Sequence, residues 1–103
     1  MKVEWVKTSV KQRDQVAEYI RRQFGAKRKT AFLQEVRQIT KMLKDYPNMG
    51  PLDDLFENRN IQYHSIVING LSKMVYFVGD DTIYIVAFWD TRREPKKQAE
   101  QVK

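Results

Sequence analysis

The chain has 103 residues, 42% of them hydrophobic and 12% aromatic, and a formal net charge of +6 at pH 7. One hydrophobic core fits this length, and this much apolar side chain offsets the entropy of ordering it, so a single folded domain spanning 1–103 is expected and disorder is excluded. With no cysteine and a single histidine, His64, the sequence excludes disulfide frameworks, thiolate metal sites and zinc sites built from several imidazoles.

The first residues alternate. Val3 and Trp5 fall on one side and Lys2 and Glu4 on the other, which predicts a short strand over 2–7 with no apolar signal core. Thr8-Ser9 then opens a helix. Ser9 and Gln12 have the spacing of a capping box, in which each side chain satisfies an orphan backbone donor of the first turn. Val16, Ala17, Ile20 and Phe24 form its apolar stripe, and Gly25 stands where a helix end favours a left-handed residue. A second helix is predicted from Ala26 to Asp45. Its stripe is Phe32, Val36, Ile39 and Leu43, with Leu33 and Met42 beside it, and Pro47 and Gly50 end it. One glycine between two amphipathic helices predicts a tight antiparallel hairpin.

The period then changes from helical to alternating. After an irregular linker over 47–62, with one helical turn at Leu52–Phe56, three β-rich runs follow: Tyr63 to Asn69, Leu71 to Val78 and Thr82 to Trp89. Asn69-Gly70 suits a type I′ turn, which needs positive φ twice, and Gly79-Asp80-Asp81 makes the next connection. An antiparallel meander results. The longest apolar run, Ile83 to Trp89, is far short of the ~20 residues of a membrane helix, so a soluble, cytoplasmic protein that engages no membrane is expected. From about 91 the chain is a charged tail carrying Pro95.

The predicted class is α+β: an N-terminal strand, a two-helix antiparallel hairpin and a three-stranded antiparallel meander, with the helices on one sheet face. A two-residue loop at Asn69-Gly70 predicts Ile66 opposite Lys73 and His64 opposite Val75. A three-residue loop at 79–81 predicts Phe77 opposite Ile83. His64, Ile66, Lys73, Val75, Phe77, Ile83, Ile85, Ala87 and Trp89 then share one face. Tyr63, Val67, Met74, Tyr76, Val78, Tyr84, Val86 and Phe88 share the other. Both are largely apolar, and one helical layer covers one face. The second is expected to be open or covered by a partner. The charge is uneven as well: residues 1–50 carry a net +7 and residues 51–103 a net −1. An acidic partner or a nucleic acid suits the basic half, as does plain solvation of charged helix faces. Lys27-Arg28-Lys29 has the composition of a nucleic-acid patch, and a solvated first helical turn is its simpler explanation.

Four stretches occur in order: Leu43-x-x-Tyr46-Pro47-x-x-Gly50, then Tyr63-His64, then the run from Ser72 to Ile85, then Phe88-Trp89-Asp90-Thr91-Arg92-Arg93-Glu94-Pro95. In order, spacing and length the chain resembles the RelE/ParE superfamily, the toxins of bacterial type II toxin–antitoxin modules. The resemblance implies one of two activities. RelE-like members are metal-independent ribonucleases that cut mRNA on the ribosome with basic side chains on the open sheet face. ParE-like members poison DNA gyrase and need no hydrolytic site. Either kind is held by a cognate antitoxin. Carried over, the nuclease cations fall on His64, Lys73 and Arg93. A further lysine falls on Ile66, and the tail tyrosine has no counterpart because Tyr84 is the last tyrosine. His64 then serves as base or is a solvated strand histidine, and Lys73 is a catalytic cation or a snorkelling lysine. Arg92 and Arg93 contact a target or pair with Asp90, Glu94, Asp53 or Asp54.

The resemblance therefore implies a ParE-like toxin acting on DNA gyrase, without cofactor or metal. Arg92, Arg93, Lys96 and Lys97 are the expected target-binding residues. An acidic antitoxin is expected on Ile66, Val75, Phe77, Ile85 and Trp89. The alternatives are a ribosome-dependent endoribonuclease and a non-toxic binding module of the same fold.

Overall fold

A computed structural model describes residues 1–56, 60–70 and 72–90. The elements run β1 (Lys2–Trp5), α1 (Lys7–Phe24), α2 (Ala26–Asp45), a 3-10 turn (Asp54–Phe56), β2 (His64–Ile68), β3 (Ser72–Val78) and β4 (Thr82–Asp90). The sheet order is β1-β4-β3-β2. Three strands form the expected antiparallel meander. β1 joins β4 in parallel, Lys2 opposite Thr82 and Trp5 opposite Ile85, so the sheet is mixed rather than antiparallel throughout. Parallel strands need a long crossover, and the helical hairpin begins it.

The hairpin turns on Gly25, at φ 96 and ψ 171, a conformation open almost only to glycine. Ala17, Phe32, Val36 and Leu43 bury the helices against Ile68, Met74, Tyr76, Ile83, Ile85 and Phe88, with Val3, Trp5 and Ile66 packed at the margin. One stripe residue and one beside the stripe differ from expectation: Phe24 is 59% exposed and Met42 44%, next to buried Leu43.

The capping box does not form. Val6 is the N-cap of α1, and no side chain caps that end. Ser9 is fully buried, its Oγ donating to Val6 O at 2.7 Å with Ile85 O at 2.9 Å, and Gln12 Oε1 accepts from Phe88 N–H at 2.9 Å. β1 ends at Trp5, so among the described residues no strand pairs with β4 beyond Ile85 on that side. Side chains of α1 take the place of the missing ladder.

The meander departs from the expected register. Asn69 (φ 58) and Gly70 (φ 69) take the positive φ values their chemistry predicts, yet Ile68 pairs with Ser72, one residue beyond the two-residue loop. His64 therefore opposes Tyr76 and Ile66 opposes Met74. Phe77 opposes Tyr84, and Val78 opposes Ile83. A bulge between Val75 and Tyr76 sets Ile85 opposite Tyr76 and Ala87 opposite Val75, leaving Val86 as the extra residue. An inserted residue reverses the alternation beyond it, which is why Ile83, Ile85 and Phe88 all reach the helix layer.

The second face is not open. Phe56 and Tyr63 lie over Val75, Ala87 and Trp89 as a second core, with Leu55, Phe77 and Val86 around it. The linker holds its own cover in place. Asp53 N–H donates to Tyr63 O, and Asp53 Oδ1 accepts from Leu55 N–H, turning Phe56 onto the sheet.

Candidate functional site

The Tyr46-Pro47-x-x-Gly50 segment is fastened to the sheet by Tyr76. Its hydroxyl donates to Pro47 O at 2.8 Å and accepts from Gly50 N–H at 3.0 Å. Burial pushes the Tyr76 phenol up, partly offset by the Gly50 hydrogen bond. The approach is close. A Cβ on Gly50 would stand 2.8 Å from Ile66 Cγ1, 2.9 Å from Tyr76 Oη and 3.0 Å from Ser65 O. His64 completes the cluster, its ring stacked on Tyr76 at 5.1 Å and 15° and its Nδ1 2.6 Å from Gly50 O. A carbonyl only accepts, so Nδ1 carries the proton and is engaged in holding the loop.

Lys73 lies across the sheet from this cluster. It faces the second core, its Nζ 2.7 Å from Asp53 Oδ2 in a pair whose side chains are 12% and 9% exposed. The ring of Phe56 lies 5.9 Å from the ammonium. The expected register brought His64 and Lys73 to one face, whereas the observed one puts them on opposite faces. His64 is bound to backbone and Lys73 is neutralised by an acid. Arg93, the third member of the nuclease set, lies outside the described residues, as do Arg92, Lys96 and Lys97.

The five apolar residues expected to meet an antitoxin are also divided between faces. Ile66 and Ile85 pack in the helix-side core, and Val75, Phe77 and Trp89 in the other. Val75, Ile85 and Trp89 are 0%, 0% and 2% exposed, leaving Ile66 and Phe77 with accessible surface. The apolar surface that is open lies elsewhere. A groove of about 190 Å³ runs between α1 and the ends of β3 and β4, lined by Val16, Tyr19, Ile20, Phe24 and Phe88. A second patch gathers Met42, Tyr46 and Met49 around the C-terminal end of α2. The pattern hides both in advance, because Tyr19 is off the apolar stripe of α1 and Tyr46 follows the last residue of α2. Among the described residues no cluster of three or more His, Asp or Glu could hold a metal.

A strand, a helical hairpin on one sheet face, a meander and a loop fastened by a buried tyrosine define a small α+β domain with a mixed four-stranded sheet. A chain of the chromosomal ParDE toxin–antitoxin structure from P. aeruginosa superposes with a TM-score of 0.70 at 13% identity, covering 87% of this chain and 95% of that one. At that identity the likeness shows the fold. The solution structure of a conserved hypothetical protein from Helicobacter pylori matches with a TM-score of 0.41 at 16% identity, covering 88% of this chain and 94% of that one, and nothing rests on it. No curated protein sequence matches. Residues 3–95 match the model of the ParE toxin of type II toxin–antitoxin systems, parDE, and the chain belongs to that family.

Proposed function

We propose that this chain is a growth-inhibiting toxin that acts in the cytoplasm on DNA gyrase and is neutralised by an acidic antitoxin. The observation that carries the target is the division of the basic residues. Metal-free ribonucleolysis needs several cations and an acid–base pair around one phosphate. Here Lys73 is paired with Asp53, His64 Nδ1 is held by Gly50 O on the other face, and apolar Ile66 replaces a third cation. This supports a target recognised by surface contact. Arg92, Arg93, Lys96 and Lys97, beyond the last strand, are the proposed contacts. For the antitoxin, the apolar groove along α1 at Val16, Tyr19 and Ile20 is the proposed seat. An acidic segment that folds on binding can bury a large area there despite its ordering cost.

The experiment is a supercoiling assay on purified gyrase, paired with ribosome profiling after induction. Loss of supercoiling with no new cleavage in ribosomal A-site codons is expected. Rapid A-site cleavage with supercoiling intact overturns the reading in favour of the endoribonuclease. Two variants, checked as folded by circular dichroism, sharpen it. Arg93→Glu should abolish growth arrest. His64→Ala should cost little against gyrase, where loss of a general base would cost ~100-fold or more in rate.

A further inference from the structure

The tip of the helical hairpin gathers more positive charge than the neighbouring Glu18 carboxylate balances. Arg21 and Arg22 close α1, Lys27, Arg28 and Lys29 open α2, and Gly25 joins them. Arg21 is held by Glu18, its Nε 3.0 Å from Oε2. Among the described residues Arg22, Lys27, Arg28 and Lys29 enter no ion pair. The first turn of α2 contains no acid and no side-chain cap, so its free N–H groups add to the positive field. Phe24 stands between the two groups, 59% exposed, with the Arg28 guanidinium 5.9 Å from its ring. Cations at a helix N-terminus oppose the dipole, and an exposed phenylalanine leaves apolar surface in water. Both features cost stability and return nothing to the core.

We infer that this tip binds the phosphate backbone of duplex DNA without reading its sequence. The arrangement around the tip separates this partner from an acidic peptide. Successive helical residues are about 100° apart, so Lys27, Arg28 and Lys29 span about 200° around α2, and Arg22 adds a direction from the other helix. A peptide lying along the groove meets one side of such a tip. A tip entering a DNA groove between two phosphate rows meets negative charge on several sides, and the major groove admits a helix end. The inference does not need gyrase to be the target. A toxin that acts on a DNA-bound enzyme would gain a second foothold from it.

Fluorescence anisotropy of the whole protein with a short end-labelled duplex tests this. Four phosphate contacts predict a log–log salt slope of about −3.6, a loss of about 150-fold in affinity between about 50 and 200 mM salt. Lys27→Glu/Arg28→Glu/Lys29→Glu should bring the slope to about −1 or abolish binding. Its thermal midpoint should hold or rise, since acids suit a helix N-terminus, so the loss cannot be unfolding. Lys41→Glu/Lys44→Glu, at the far end of α2, should bind like the parent. No salt-dependent binding, or a slope that survives the triple change, overturns the inference. Tighter binding of polyglutamate than of duplex at equal charge also overturns it and assigns the tip to an acidic protein. Gyrase inhibition plays no part in these readouts, so the target reading and this one fail separately.

Discussion

The Tyr76 hydroxyl sits between two backbone groups of one loop, donating to Pro47 O and accepting from Gly50 N–H. Tyr76→Phe leaves both groups short of a partner and should cost about 1–3 kcal/mol in urea unfolding. It should also change the alkaline limb of stability. The folded phenol titrates above its ordinary value of 10.0, so the unfolded chain releases its proton first as pH rises. The stabilisation is complete below about pH 10 and is lost as pH climbs through the raised folded value. Wild type should therefore lose stability faster above pH 10 than Tyr76→Phe, and parallel alkaline limbs would defeat the assignment. Gly50→Ala tests the same loop from the other side. Its Cβ meets Ile66, Tyr76 and Ser65 at 3.0 Å or less, and overpacking of this kind costs about 1–3 kcal/mol. At this scale the sequence was legible as identity and not as contact. The Tyr-Pro-x-x-Gly spacing stood out, while the partner that explains it lies across the sheet at Tyr76.

The elements themselves were largely legible, and α2 begins and ends where its pattern places it, at Ala26 and Asp45. The sheet register was not. Asn69-Gly70 specifies positive φ but not whether the loop holds two residues or three, and one residue moves a whole strand to the other face. That single step separates Lys73 from His64, and with them the nuclease set. The bulge at Val86 was equally hidden, because no glycine marks it. The linker contributes a buried ion pair in place of an open face, and this leads to a prediction. Asp53→Ala strands a nearly buried ammonium and should cost about 3 kcal/mol by thermal unfolding. Asp53→Leu/Lys73→Met, which removes both charges, should recover most of that loss. If the double variant is as unstable as the single, the pair does not have this role. A recovered double variant that still arrests growth would detach toxicity from Lys73 altogether.

In the whole molecule, one sheet separates two cores of different origin. Helices supply the cover on one side; a linker of irregular backbone supplies it on the other. The composition announced the first, since amphipathic stripes advertise what they bury. The second depends on Phe56, which the pattern leaves in the linker, and on Tyr63, which it places at the head of a strand. Its existence removes the open sheet as a docking surface and leaves the helical side, with its basic charge, as the exposed feature of the fold. The two layers also divide the chain's two tryptophans. Trp5 packs near Phe88, under the Arg13 guanidinium at 4.8 Å, while Trp89 is buried beneath the linker. Each indole therefore emits from its own layer, and Trp5→Phe and Trp89→Phe turn the protein into two single-colour reporters. If the strands bind both layers into one cooperative unit, the two emission curves will share a midpoint and match the circular dichroism melt. If the Trp89 signal is lost first, the linker peels away while the helical side stays folded, and the toxin has a partly open form of its own.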